Sequence, residues 1–251
     1  MNIERILNFR TIIILIFAAL LSYGIYWLVI SNIFKNKLLL QLAENKSISY
    51  KTIDSSGFPT QIQTNINEFE ITNSKSGDVL VESEAIQLSM HPFELSKIAL
   101  KSNFISILVN KDNLVFNLDM NKVLSIIFID QNNLHNLNSA INNIKISGNE
   151  IFLANLDQVH IKINENSPQL FEINTKVNSA ELETMNSQNV SIEIQGRLKL
   201  NNKVLNGSLN LLIKDLKTNE DIFSLPLNIK DNQLIFLFMN IFDLNKILFF
   251  L

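Results

Sequence analysis

Two hydrophobic periods divide the chain. From Thr11 to Ile30 the run TIIILIFAALLSYGIYWLVI holds no charged residue in 20 positions. A helix of about 20 apolar residues spans a hydrocarbon layer of about 30 Å. Tyr23, Tyr26 and Trp27 gather toward one end of the run, where interfacial aromatics belong. A cleaved signal peptide would carry a shorter apolar region closed by small residues. Here Trp27, Leu28, Val29 and Ile30 follow instead, so the run reads as an uncleaved anchor. The pattern continues from Ile33 as a short helix to about Asn45.

Beyond that point the period is two. Ile62, Thr64 and Ile66 share one face while Gln61, Gln63 and Asn65 share the other. The phase slips at Asn67-Glu68 and resumes at Phe69 and Ile71, as a β-bulge requires. Ile86, Leu88 and Met90 alternate. So do Leu114, Phe116, Leu118 and Met120, then Val159, Ile161 and Ile163, then Phe171, Ile173, Thr175 and Val177. Such alternation predicts strands with one buried and one wetted face. The segments VSIEIQGRLKL and KVLNGSLNLLI predict a hairpin. An Asn201-Asn202 turn sets Gly196 opposite Gly207, leaving a gap and a bend on the apolar face. Two short helices are expected at Asn121–Phe128 and Asn132–Ile141. A final strand near Leu234–Met239 followed by a short apolar helix is expected at the carboxyl end. Asp243 and Lys246 argue against a second span there.

Gly57-Phe58-Pro59 stands directly before the first long strand. Glycine permits a turn closed to other residues, and proline fixes φ and extends the residue before it. The motif reads as a structural turn, with Phe58 anchoring it to the core.

Composition removes several functions. The 251 residues carry 24 acidic and 21 basic side chains, a net charge of −3. No basic face for nucleic acid is implied. With no cysteine, disulfides, thiolate metal sites and cysteine nucleophiles are excluded. His91, His135 and His160 lack partners at metal-ligand spacing and read as solvated, so no metal site is expected. Glu68 with Glu70, and Glu82 with Glu84, fall on the wet face of strands. No nucleophile elbow, phosphate loop or zinc signature occurs. The chain is expected to be no enzyme and to need no cofactor.

The Gly-Phe-Pro turn before a long amphipathic strand, some twenty-five residues past an amino-terminal span, resembles a family of single-span bacterial envelope proteins, the domain-of-unknown-function group numbered 2125. Ile86–Asp119, in which an amphipathic strand reaches a proline and a short turn before two further strands, is similar to the broader AsmA-like group. Leu225–Phe238, turning at Lys230-Asp231-Asn232, looks like that group's closing pair of strands. The resemblance implies a strongly curved, mostly antiparallel sheet whose concave face is apolar. Larger AsmA-like relatives form long grooves associated with moving or accommodating lipid, and a chain this short would form a brief groove or one segment of a larger assembly.

The expected architecture is therefore mainly β (α+β). A tail and anchor over residues 1–32 precede a β-rich body over 33–251. Basic residues on the two sides of the span nearly balance. The short leading tail marks a signal anchor with the body outside the cytoplasm, in the periplasm of a bacterium with two membranes. The apolar face (Ile62, Ile66, Ile86, Leu88, Phe116, Ile192, Ile194 and Leu211) is the candidate ligand surface, because few helices are available to cover it. The membrane, lipid and another envelope protein are the expected partners, the last through an exposed strand edge.

Overall fold

The computed structural model describes residues 9–72, 79–111, 114–130, 133–148, 151–182, 189–201, 204–231, 233–236 and 239–243. It opens on one unbroken helix, α1 (Phe9–Glu44), of 36 residues. Strands follow in chain order: β1 (Ile48–Ser49), β2 (Thr52–Ser56), β3 (Ile62–Thr72), β4 (Val79–His91), β5 (Glu94–Lys111), β6 (Leu114–Asp130) and β7 (Asn133–Gly148). The remainder are β8 (Ile151–Ser167), β9 (Leu170–Leu182), β10 (Asn189–Asn201), β11 (Val204–Asp215), β12 (Asp221–Lys230), β13 (Gln233–Phe236) and β14 (Met239–Asp243). All fourteen belong to a single sheet in which β3 to β14 pair strictly in sequence order. Every pairing is antiparallel. β1 and β2 both pair with β3, and β14 pairs only with β13, so the described sheet is open rather than a closed barrel.

The alternating period explains the meander. Consecutive strands with one apolar face pair through short turns, and register keeps that face continuous. A row of residues directly opposite one another shows it. Ile53, Ile66, Ile86, Ser102, Val123, Ile141, Val159, Val177, Ile192 and Ile213 succeed one another in register from β2 to β11. All are buried except Ile192, which is half-buried. Nearly all are β-branched, the residues that pack best on a pleated surface.

Beside this row runs a seam. One residue in each of seven consecutive strands drops out of the ladder: Glu68, Glu84, Asn103, Lys122, Asn142, Gln158 and Asn178. Glu68, Lys122 and Gln158 take left-handed φ values of 49, 51 and 51°. Inward positions therefore step by three at the seam, as from Ile66 to Phe69, Met120 to Val123, Ile141 to Ile144 and Leu156 to Val159. Without that step every apolar residue beyond it would turn to the wet face. The slip expected at Asn67-Glu68 is thus one member of a line crossing half the sheet. Where β4 and β5 cross the line, two buried serines close it. Ser83 Oγ lies 2.9 Å from Ser102 Oγ, Ser83 donates to the Phe104 carbonyl at 2.8 Å, and Ser102 donates to the Ala85 carbonyl at 3.0 Å. Ser102→Ala is expected to cost about 1–2 kcal/mol, since the single Ser83 proton cannot serve both the Ala85 and the Phe104 carbonyls. Chemical denaturation of the full chain in detergent reads this out.

Three expectations are corrected. Asn121–Phe128 and Asn132–Ile141 are not helices among the described residues but parts of β6 and β7. In β6, Leu124, Ile126 and Phe128 make the outer side apolar as well, which hides the period of two. In β7 a register shift pairs Ile129 with Leu134 while Ile127 pairs with Leu137, so inward leucines fall three apart and imitate a helix. At the carboxyl end, Met239–Asp243 is a strand, and the rest of the expected terminal helix lies outside the described residues. Lastly, Gly196 does not oppose Gly207. β10 runs to Asn201 and β11 starts at Val204, so Gly196 pairs with Leu209 and Gly207 with Leu198.

Candidate functional site

α1 covers only the first edge of the apolar face. Its Trp27 packs on Ile62 and Met90, flanked by Ile30 and Phe34. One turn further along, Leu38, Leu39 and Leu42 pack against Ile53, Ile66 and Leu88. The larger cluster, Val123, Ile141, Ile144, Val159, Val177, Ala180, Val190 and Ile213, contains strand residues alone. Around it Leu100, Ile105, Met120, Ile146, Leu156, Ile161, Ile192 and Leu211 are only partly buried. From β5 to β11, then, the described residues give this face no helix to cover it.

The eight sequence-predicted contact residues share that face but split into two groups. Ile62, Ile66 and Leu88 lie beneath α1, and Ile86 is buried beside them. Phe116 is exposed, and Ile192, Ile194 and Leu211 are half-buried on the uncovered part. The positions read as small gaps are filled. A Cβ on Gly196 would meet Leu209 Cδ2 at 2.7 Å, and one on Gly207 would meet Leu198 Cδ2 at 2.8 Å. Each leucine lies over the glycine across from it. Thr64 is fully buried, set in register between Ser55 and Leu88. Of the polar groups that enter the face, Ser125 Oγ and Ser139 Oγ satisfy each other at 2.7 Å, whereas the buried Thr64 hydroxyl has no hydrogen-bond partner among the described residues.

All three histidines are exposed, as expected, but one of them has a carboxylate partner. His135 Nδ1 lies 2.6 Å from Glu165 Oε2, whose side chain is largely buried. The two meet because β7 and β8 are neighbours, 30 positions apart in sequence, and no local spacing announces them. His160 is exposed on the wet side, and the His91 ring accepts from the Phe93 amide at 3.3 Å. Among the described residues no cluster of acidic or histidine side chains is arranged to hold a metal. The outer face carries ion pairs such as Lys51–Glu68 and Lys214–Glu193. A shallow hollow there, of about 360 Å³, is lined by Gln61, Ser89, His91, Glu94 and Lys97 with mixed charge. The Asp215 carboxyl is held below the usual aspartate range by the backbone N–H groups of Thr218 and Lys217, which close the turn after β11.

The Gly57-Phe58-Pro59 turn is corrected in its role. Gly57 has φ 101°, and a Cβ there would lie 2.6 Å from the Gln61 carbonyl oxygen, so the turn needs glycine. Phe58, however, is exposed and not in the core. It sits edge-on to Trp27 at 5.4 Å and beside Tyr23 at 6.3 Å, which ties the turn to the membrane-type segment of α1. By length and composition α1 is able to cross a membrane. Compared with known proteins, the chain matches no family model, no curated protein and no solved structure at a significant level.

Proposed function

We propose that the protein holds or passes lipid, or another long apolar ligand, along the uncovered apolar face of its sheet, while α1 tethers it to a bacterial inner membrane with its body in the periplasm. The observation that carries this reading is the face itself: continuous in register over ten strands, yet covered by α1 only on β2 to β4. The floor of that face is buried among its own neighbours. The apolar surface still left to water, on Phe116 and the half-buried Ile192, Ile194 and Leu211, costs about 25 cal/mol per Å², and each buried methylene of an acyl chain recovers about 0.8 kcal/mol. An acyl chain lying across Phe116, Ile192, Ile194 and Leu211 relieves that cost. Curvature of the sheet into a groove would deepen the contact, and the seam of seven interrupted strands is a place for the sheet to bend. The mechanism is passive: binding energy comes from apolar contact, and no catalytic step is involved.

Neighbouring positions on opposite faces test it. A photo-crosslinking side chain at Ile161 or Ile194 is expected to capture lipid several-fold more often than one at Lys162 or Gln195, which lie on the wet face. Equal capture from both faces, read by mass spectrometry of the adducts, overturns the proposal. A second reading rests on β14, which among the described residues has a partner on one side only. A strand from another envelope protein added there would appear as a discrete protein adduct from crosslinkers in β14, with no lipid from the inner positions.

A further inference from the structure

Beyond a tether and a ligand face, the coordinates place two turns of the sheet against the membrane-type part of α1. The β2–β3 turn reaches Tyr23 and Trp27 through Phe58. The β4–β5 turn reaches Tyr23 and Tyr26 through Phe93, with ring centroids 5.8 and 5.5 Å apart. Hydrogen bonds lock both turns. Tyr23 donates to the Pro59 carbonyl, Tyr26 to the Pro92 carbonyl at 2.8 Å, and Trp27 to the Gln61 carbonyl at 3.1 Å.

Helix length then fixes depth. The apolar run ends at Ile30, and an α-helix rises 1.5 Å per residue, so the turns meet α1 about 5–10 Å inside the end of the run. The 12 residues from Thr11 to Ser22 span only about 18 Å, well short of the roughly 30 Å a bilayer demands. Arg10 blocks a shift the other way. On the side of α1 turned from the sheet, Ile25 and Leu28 are 63% and 56% exposed at the level of the turns. Phe58 and Phe93 are themselves 57% and 68% exposed. The chemistry of the turns also suits a dry environment. Gly57-Phe58-Pro59-Thr60 and Pro92-Phe93 carry no charge, each proline removes an N–H donor, and the tyrosines satisfy carbonyls that lipid would leave unpaired. Glu94, next after Phe93, limits the depth to the zone where acyl chains meet headgroups.

We propose that the β2–β3 and β4–β5 turns are embedded in the bilayer and, with Tyr23, Tyr26 and Trp27, form an aromatic foot that seats the first strands in the outer part of one leaflet. The partner is the phospholipid surface itself. The inference rests on α1 crossing the membrane, and the test separates the two. The chain has no cysteine and one tryptophan, so single spin labels are unambiguous. The full chain is reconstituted in phosphatidylcholine vesicles with a label at Phe58→Cys, Phe93→Cys, Leu15→Cys or Thr218→Cys. Oxygen and a water-soluble nickel complex report lipid and water access. Labels at 58 and 93 are expected to favour oxygen and to be several-fold less accessible to nickel than the label at 218, at a depth shallower than 15. If 58 and 93 match 218 while 15 stays in lipid, the foot is wrong and the span stands. If 15 is also open to nickel, the span is wrong and the foot falls with it. Should the labelled variants misfold, Trp27 in the unaltered chain serves instead. Lipids brominated near the headgroup end of the acyl chain are expected to quench it more than lipids brominated near the chain terminus. No quenching by either overturns the proposal.

Discussion

Gly207→Val is expected to unfold the strands around it. A Cβ at Gly207 would stand 2.1 Å from the Arg197 carbonyl oxygen and 2.9 Å from Leu198 Cα, both main-chain atoms of β10. A backbone atom cannot rotate away, so β10 and β11 must separate. Gly196→Val meets the same obstacle, with the Ser208 carbonyl oxygen at 2.1 Å. Overpacking a core usually costs about 1–3 kcal/mol where side chains yield. Here the ladder itself has to open, and each substitution should cost more than the upper end of that range. Gly24→Ala, with nothing within 4 Å of its new Cβ, is the matched control and should leave unfolding unchanged. Denaturation of the three variants in detergent decides the matter. If Gly207→Val unfolds like the parent, the β10–β11 register is wrong.

The second large effect belongs to the floor of the apolar face. Val177 is 3% exposed, in register between Val159 and Ile192. No basic side chain shares its row from β2 to β11. Val177→Asp buries a carboxylate without a partner, a change expected to cost about 4 kcal/mol or more unless the group stays protonated. Asn174→Asp, exposed on the opposite face of the same strand, should fall within about 0.5 kcal/mol of the parent. The loss at Val177 should shrink below about pH 4, where a carboxyl is neutral. A variant at Val177 as stable at pH 7 as the parent would show that this row is wet.

Much of the architecture was legible from residues read singly. Thr11–Ile30 announced α1, and runs such as Ile192, Ile194 and Leu198 announced strands, because both signals are local periods. The seam was legible only at Glu68. In β6 the step from Met120 to Val123, and in β7 from Leu134 to Leu137, look like helix spacing when no neighbour is known. Their meaning lies in register with adjacent strands, which a single strand does not encode. The hairpin missed by two pairs because Asn201 and Asn202 both tolerate a turn, and the choice between them rests on how Leu198 and Leu209 pack over the glycines. His135 and Glu165 met through sheet order, for which spacing gives no sign. For the candidate site, the face was legible and its cover was not. Nothing in the residues from Ile33 to Glu44 says which strands their leucines will lie on, so Ile62, Ile66 and Leu88 were assigned to ligand contact while α1 occupies them. Phe58 was singled out for the right reason, its place in a glycine–proline turn, and given the wrong neighbour.

From Phe9 to Glu44 α1 has no proline and a single glycine, and its far half is fastened to the sheet through Trp27 and Leu42. Among the described residues there is no joint between the membrane-type segment of α1 and the strands it packs on. If α1 crosses a bilayer as proposed, any adjustment of the helix to bilayer thickness, ordinarily a private matter of tilt, swings the strands fastened to it like an oar in a fixed lock. On that proposal the lean of these strands from the lipid follows the thickness of the lipid, and a thinner or thicker membrane would aim them elsewhere.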